Sequence, residues 1–138
     1  MTEPNDGKQV PRPTPDTRPY WDAAARGELS LPKCEDCGLL FFYPRSVCPG
    51  CSSLSLRWVP LSGRARLHSY LISHLPSPGF EVPYAVAVVE LEEGPRMMSS
   101  IVGVPQDPEH LVLDMELRVV FETHGGVSVP KFTPAVSR

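Results

Sequence analysis

The chain has 138 residues, of which 41% are hydrophobic and 21% are charged, and its formal net charge is −3. This length accommodates one ordinary domain or two small ones, and the hydrophobic fraction suffices for a core. The acidic balance argues against a protein whose affinity depends on covering phosphates, so nucleic acid is not expected as a partner.

The first sixteen residues are polar and rich in proline. Pro4, Pro11, Pro13 and Pro15 favour extended conformations and cannot form a core of their own. We predict an extended arm over residues 1–16, which either frays or orders against a partner subunit. This opening carries no apolar segment typical of a signal peptide. No apolar run in the chain is long enough for a membrane span, so we expect a cytoplasmic protein without a membrane.

A short helix is predicted directly after the arm. Thr17 or the residue before it can cap the N-terminus, Pro19 suits the first turn, and Gly27 suits the end. Tyr20 and Trp21 fall on neighbouring faces, where they would anchor the helix to the structure beneath it.

All four cysteines lie between residues 34 and 51, in two CxxC pairs that are ten residues apart. Four thiolates satisfy the tetrahedral preference of Zn²⁺, and one tight CxxC turn presents two sulfurs to one ion. The gap between the pairs is shorter than the usual zinc-ribbon range, so the ribbon would be compact. We predict one structural zinc ion with four ligands: Cys34, Cys37, Cys48 and Cys51.

Dithiol redox or iron–sulfur chemistry is the alternative use of these cysteines. A single CxxC beside a βαβ pattern would favour redox work, whereas this chain has two pairs and no such pattern. With zinc bound, every thiolate is occupied and no cysteine nucleophile remains. We therefore assign residues 17–60 to the helix plus a zinc ribbon, with a strand over the segment LLFFY between the pairs.

From residue 61 onward the sequence predicts a succession of short strands. In the first predicted strand, alternation places Leu67, Leu71 and Leu75 on one face, whereas the segment PYAVAVVEL is apolar on both faces. A hairpin is predicted with Gly125-Gly126 at its turn. Four or five short strands fit a small closed barrel of OB type over residues 61–138. The predicted fold class is thus mainly β, with a helix, a rubredoxin-like ribbon and an OB-fold barrel.

Motifs of an independent enzyme are missing from the sequence. It contains no phosphate-binding GxxxxGK[ST], no dinucleotide-binding GxGxxG, no GxSxG and no HExxH. His68 and His74 would lie ~20 Å apart along one strand, too far to share a metal ion. We predict no catalytic residue in this chain.

The order of motifs resembles a family of bacterial and archaeal proteins that combine a zinc ribbon with an OB fold and are associated with acyl-CoA metabolism. The resemblance rests on PYWDAAARGEL, CEDCG, FYPRSVCPGC, LSGRARLHSY, PYAVAVVELEEGPR and VSVPKFTPA, and it runs from about Pro11 to Pro134. The chain departs from the family pattern at Ala65 and Asp114, where a glycine is common.

The resemblance implies a non-catalytic subunit in a hetero-oligomer with a thiolase-superfamily enzyme, which is a thiolase, a synthase or a thiolase-like aldolase. Such enzymes act on acyl-CoA, including steroid side chains, and the subunit would help to bind this shared substrate. If CoA contacts the subunit, its phosphates require guanidinium groups. Arg45, Arg64 and Arg66 are the candidates, with ordinary solvated arginines as the alternative.

The partner surface is predicted at LLFFY and the aromatic helix. A thin ribbon can cover only one face of the LLFFY strand, and large side chains left in water usually mark a binding site. The alternative is that the barrel or the helix covers the second face. The predicted partner-binding residues are Tyr20, Trp21, Phe41 and Phe42.

Two other functions compete with an accessory subunit. Zinc ribbons and OB barrels both occur in nucleic-acid-binding proteins, although aromatic residues make up only 8% of this acidic chain. A free-standing acyl-CoA carrier or sensor is the second alternative.

Overall fold

The fold was obtained as a computed structural model, which describes residues 11–76, 82–124 and 126–135. Residues 1–10 of the predicted arm and Gly125 of the predicted hairpin turn lie outside the described residues. The elements in chain order are α1 (Arg18–Ala25), β1 (Ser30–Cys34), β2 (Leu56–Pro60), β3 (Arg64–Ser73), β4 (Tyr84–Leu91), β5 (Arg96–Ser100), β6 (Glu116–His124) and β7 (Val127–Pro134). The prediction of a mainly β chain with one short helix is confirmed.

The helix α1 begins and ends where the sequence predicts. A proline occupies its first turn, and Gly27 follows it with a φ of +80°. Thr17 is the N-cap residue, but the predicted side-chain cap is wrong, because no side chain donates or accepts a capping hydrogen bond there. Its buried face, which includes Tyr20 and Trp21, packs against β1 and β7. The helix therefore connects the ribbon to the barrel.

The barrel consists of five strands in the order β5-β4-β3-β6-β7, and each strand is antiparallel to its neighbours in this order. Its two outer strands meet at a parallel bridge between Ile101 and Phe132. At that bridge the N–H of Val102 donates to the carbonyl of Phe132 at 2.8 Å. This cyclic order, with one parallel closure, is that of an OB fold, so the barrel prediction is confirmed. In the hairpin, His124 pairs with Val127 around the predicted turn.

Side chains from every barrel strand fill the core. The innermost ones are entirely buried or nearly so, and they include Leu67, Val89, Met97, Leu117 and Phe132. Strand β4 alternates buried residues with half-buried or exposed ones, because successive side chains of a strand point to opposite faces of the sheet.

A β-bulge at His68 changes which side chains of β3 face the core. The register against β4 shifts between Leu67 and Ser69, because His68 has no partner opposite it. Beyond this point the inward positions move by one residue, so Tyr70 packs on the core and Leu71 is 60% exposed. The predicted common face of Leu67, Leu71 and Leu75 is therefore wrong.

Asp114 supports the bulge from the neighbouring chain segment. It has a φ of +69°, a conformation that aspartate tolerates better than most residues with a side chain. Its N–H donates to the carbonyl of Leu67 at 2.8 Å, and the N–H of Leu67 donates to the carbonyl of Met115 at 3.1 Å. This left-handed backbone conformation explains why a glycine is common at this position in the family that the sequence resembles.

The predicted strand over LLFFY is also wrong, because only Leu40 pairs, through one bridge to Lys33. The N–H of Phe41 donates to the carbonyl of Pro32 at 3.3 Å. In a regular antiparallel ladder, the N–H of residue 32 would also donate to the carbonyl of Phe41, but proline has no N–H. The segment consequently leaves β1 after a single bridge.

Gly63 is expected to tolerate alanine poorly. Its φ is +85°, and a Cβ there would lie 2.7 Å from Cγ1 of Val119. Gly63→Ala should lower the free energy of unfolding by about 2 kcal/mol, because backbone strain and overpacking add. Denaturant titration measures this loss. Gly27→Ala is the matched control, since Gly27 has a φ of +80° and a Cβ added to it would meet nothing within 4 Å. An equal loss in both variants would contradict the clash.

Candidate metal centre and partner surface

Two equivalent turns present the four cysteine sulfurs. In the first, Gly38 donates its N–H to the carbonyl of Cys34 at 2.9 Å, and in the second Ser52 donates to the carbonyl of Cys48 at 2.9 Å. Gly38 and Ser52 both have positive φ, at +80° and +67°. The two turns therefore reverse the chain in the same way after each CxxC pair.

The sulfurs converge across the two turns. Sγ of Cys34 lies 3.5 Å from Sγ of Cys51, and Sγ of Cys37 lies 3.6 Å from Sγ of Cys48. All four sulfurs lie within 4.8 Å of one another. Four thiolates bound to one ion at ~2.3 Å with tetrahedral angles would be ~3.8 Å apart. The donor set and its spacing thus fit one zinc ion with no open coordination position.

Backbone N–H groups stabilise negative charge on the inner sulfurs. Cys34 and Cys48 are both 1% exposed, and Sγ of Cys48 accepts from the N–H of Gly50 at 3.3 Å. The N–H groups of Cys37 and then Asp36 lower the pKa of the Cys34 thiol to about 6. Negative charge is therefore favoured on Cys34, whereas hydrogen bonds with the neighbouring sulfurs raise the pKa of the Cys37 and Cys51 thiols.

An aromatic cluster joins α1 to the segment between the cysteine pairs. The ring centroid of Tyr20 lies 4.8 Å from that of Trp21 and 6.2 Å from that of Phe42, while Phe42 and Tyr43 are 5.2 Å apart. Burial raises the pKa of the Tyr20 phenol, with Tyr43 as a second cause. Of the predicted partner-binding residues, Tyr20, Trp21 and Phe41 are buried, and Phe42 is half-buried. Their partner-binding role stays a prediction.

A groove of about 300 Å³ opens beside this cluster. We call it the aromatic groove, and its walls come from α1, the LLFFY segment and strands β4, β5 and β7. Its lining contains the residues Tyr20, Trp21, Phe42, Tyr43, Val86, Met97, Met98, Ser99, Ser100, Val129, Pro130 and Lys131. The sequence analysis did not predict that β5 and β7 line this groove. The run RMMSS was the available signal, since one of its two methionines is exposed.

The three arginines predicted to bind CoA do not form one group. Arg64 and Arg66 line a charged cleft of about 460 Å³, together with Glu90, Glu92 and Glu116. Arg45 lies in the exposed loop between the cysteine pairs and does not line this cleft.

Carboxylates accompany both cleft arginines. Nε of Arg64 lies 3.2 Å from Oε2 of Glu92, and Arg66 stands opposite Glu90 on β4 and Glu116 on β6. Hydrogen bonds from Ser62 and then Arg64 hold the pKa of Glu92 below its usual value. A phosphate at this cleft would therefore compete with carboxylates for the arginines.

Comparison with known proteins places both units of this architecture in one family. The family model for the rubredoxin-like zinc ribbon domain of ChsH2 matches residues 21–57, and that for the C-terminal OB-fold domain of ChsH2 matches residues 58–122. A DUF35 domain-containing scaffold protein of Methanothermobacter thermautotrophicus is 40% identical over 99 residues, which are 70% of this chain and 73% of that protein. The chain belongs to the DUF35 family.

A solved structure shares the fold over nearly the whole length. It is described as Ltp2-ChsH2(DUF35) aldolase, and it matches with a TM-score of 0.82 and 32% identity, over 92% of this chain and 100% of that chain. The rubredoxin-like zinc ribbon match and the four clustered sulfurs together indicate one structural zinc ion.

Two relatives carry names from acyl-CoA chemistry. The benzoylsuccinyl-CoA thiolase subunit BbsA of Thauera aromatica is 33% identical over 73 residues, covering 53% of this chain and 51% of that protein. A probable enoyl-CoA hydratase alpha subunit of Thermomonospora curvata is 34% identical over 118 residues. That match covers 85% of this chain but only 37% of the hydratase subunit, so the chain spans little more than a third of that relative.

Within the described residues, no helix is both long and apolar enough to cross a membrane.

Proposed function

We propose that this DUF35 protein is a non-catalytic subunit of a thiolase-superfamily enzyme that acts on acyl-CoA. The observation that carries the proposal is the match over both ribbon and barrel to a DUF35 chain of an aldolase structure. A relative named as a scaffold protein and another named as a thiolase subunit support the same role. The partner supplies the catalytic groups. Its substrate is an acyl-CoA of lipid metabolism, and steroid side chains are a candidate for the acyl group.

The zinc ion has a structural role in this proposal. Cys34, Cys37, Cys48 and Cys51 hold it, and it supplies a rigid crosslink between β1 and the second turn rather than a reactive centre. The strongest nucleophiles of the chain are thereby removed from chemistry. We place the protein in the cytoplasm, where a reducing environment keeps these thiols available to metal. We also propose the domain division that the sequence predicts: an arm over residues 1–16, the helix plus ribbon over 17–60 and the barrel over 61–138.

Co-expression with a thiolase-superfamily protein from the same genome tests the proposal. We expect a stable complex on size exclusion that cleaves or condenses acyl-CoA, whereas this chain alone shows no turnover. The reason is that its cysteines are committed to zinc and its sequence lacks a catalytic motif. Turnover by the purified chain alone would contradict a non-catalytic role. Failure of any thiolase-like partner to bind would favour a free-standing acyl-CoA carrier, and binding of single-stranded DNA would favour the nucleic-acid alternative.

We further propose that Arg45 contributes to binding of the CoA phosphates in the complex, with Arg64 and Arg66 as weaker candidates. Arg45 is exposed, whereas Arg64 lies beside Glu92. Loss of one charge-assisted hydrogen bond costs roughly 1.5–3 kcal/mol, so Arg45→Gln should weaken CoA binding about tenfold or more. Calorimetry on the complex measures this, with Arg64→Gln as the comparison. Unchanged affinity in Arg45→Gln would exclude Arg45 from CoA recognition.

A further inference from the structure

The four cysteines of the zinc site differ in their access to solvent. The inner cysteines, Cys34 and Cys48, are each 1% exposed, whereas the outer cysteines, Cys37 and Cys51, are exposed. Each CxxC turn therefore has a buried first cysteine and a second cysteine at the surface. A small solute meets the outer cysteines without any opening of the ribbon.

Contacts between sulfurs join the two turns, and each contact pairs an outer cysteine with an inner one. Sγ of Cys51 lies 3.5 Å from Sγ of Cys34, and Sγ of Cys37 lies 3.6 Å from Sγ of Cys48. An S–S bond is ~2.05 Å long, so either contact becomes a disulfide when its sulfurs approach by ~1.5 Å. Each outer cysteine thus has a buried partner in the opposite turn, within a short side-chain movement.

Zinc-bound thiolates stay open to oxidation by a small molecule. All four sulfurs are deprotonated in the zinc complex, because cysteine binds metal as the thiolate. Binding withdraws the sulfurs from nucleophilic attack on a substrate, but each of them still carries lone pairs that react with an oxidant. Oxidation of cysteine follows its thiolate character and its exposure, and the outer cysteines combine these two properties.

We propose that the zinc ribbon is a peroxide-sensitive modification site, in which oxidation begins at an outer cysteine and ends in disulfides between the two turns. In the first step, the outer thiolate attacks one oxygen of the peroxide and the O–O bond breaks. This leaves a sulfenic acid on the sulfur and a hydroxide ion, which takes up a proton to give water. The oxidant is therefore a hydroperoxide, with hydrogen peroxide as the simplest member of the class.

The second step uses the inner thiolate of the opposite turn. This thiolate, which lies 3.5 Å or 3.6 Å away before oxidation, attacks the sulfenic sulfur, forms the S–S bond and expels hydroxide. When both contacts have reacted, four thiolates have lost four electrons and two molecules of hydrogen peroxide have become four of water. Zinc then has no thiolate left and dissociates.

This inference goes beyond the proposed function, because it requires no partner protein. Two disulfides between the turns would replace the crosslink that zinc provides. The oxidised ribbon would therefore keep its two turns together after the metal has left.

Peptide mapping distinguishes disulfides between the turns from disulfides within a turn. Trypsin cleaves after Lys33, Arg45 and Arg57. It therefore yields the first turn in residues 34–45 and the second turn in residues 46–57. A disulfide between the turns joins these two peptides, whereas a disulfide within a turn leaves them separate.

The experiment treats the zinc-loaded full chain with hydrogen peroxide and follows both products. A chromogenic chelator measures free zinc, and samples are digested without reductant for mass spectrometry. We expect zinc content to fall from one per chain toward zero as the two peptides appear joined. Fragmentation of the joined peptides should place the bonds between Cys34 and Cys51 and between Cys37 and Cys48.

Met98 provides an internal control for the reach of the oxidant. Its thioether belongs to a residue that is 66% exposed, and peroxide converts it to the sulfoxide. Zinc that stays bound after Met98 has been oxidised would show that the bound thiolates are inert, and would overturn the proposal. A disulfide within either CxxC turn would also overturn it, as would sulfinic or sulfonic acids on single cysteines without a disulfide. None of these results bears on the subunit role, since the partner is absent from the experiment.

Discussion

Cys48→Ser is expected to abolish zinc binding and unfold the ribbon. The Cys48 thiol is 1% exposed, and its sulfur lies 3.6 Å from that of Cys37, so serine would replace one of four converging ligands. Structural zinc contributes roughly 10–16 kcal/mol in small domains, which matches or exceeds the ~5–15 kcal/mol that separates folded from unfolded protein. Elemental analysis should find one zinc per wild-type chain and none in the variant, and hydrogen exchange should show lost protection in β1 and β2.

Val47→Ala provides the control for this substitution. Val47 precedes Cys48 and is 38% exposed, so its truncation leaves the four ligands in place. This variant should retain one zinc per chain and melt close to the wild-type temperature. Full zinc content in Cys48→Ser, with an unchanged melting temperature, would contradict the four-cysteine site.

Phe132→Ala is expected to be the most damaging substitution in the barrel. The side chain is 0% exposed, and the residue forms the bridge to Ile101 that joins β5 to β7. Truncation of a buried phenylalanine typically costs about 3–5 kcal/mol, through lost transfer free energy and the cavity left behind. Urea titration of the zinc-loaded protein should show this loss in the free energy of unfolding.

Leu54→Ala serves as the comparison for Phe132→Ala. Leu54 is 77% exposed, and substitutions at such surface positions usually change the free energy of unfolding by less than about 0.5 kcal/mol. Equal stability of the two variants would mean that the Phe132 side chain is not buried in the barrel core in solution.

Features fixed by neighbouring residues could be predicted from the sequence. The zinc site follows from spacing within each CxxC pair, and the helix follows from Pro19 and Gly27. The hairpin between β6 and β7 follows from a glycine pair between two strand-like runs. In each case the signal and the structure it determines lie within a few residues of each other.

Features that depend on distant partners could not be predicted. The bulge at His68 is held by Asp114, which lies near the end of the long connection between β5 and β6. Because the bulge was not predicted, Leu71 was wrongly placed on the same face as Leu67. The LLFFY segment stays irregular because Pro32, on another strand, withholds a hydrogen bond. The aromatic groove combines α1 with β5 and β7, so the sequence pattern identified its aromatic wall but not Met98 or Lys131.

The packing of α1 on β7 has a consequence for the order of assembly on the ribosome. The ribbon cysteines emerge early and can capture zinc while the barrel strands are still being translated. A helix of eight residues has little stability by itself in water, and although α1 can contact β1 and Phe42 early, it meets β7 only after the last described strand has been translated. The aromatic groove, which combines α1 with β5 and β7, is complete only at that moment. A partner that recognises this groove would thereby select finished molecules over nascent or truncated ones.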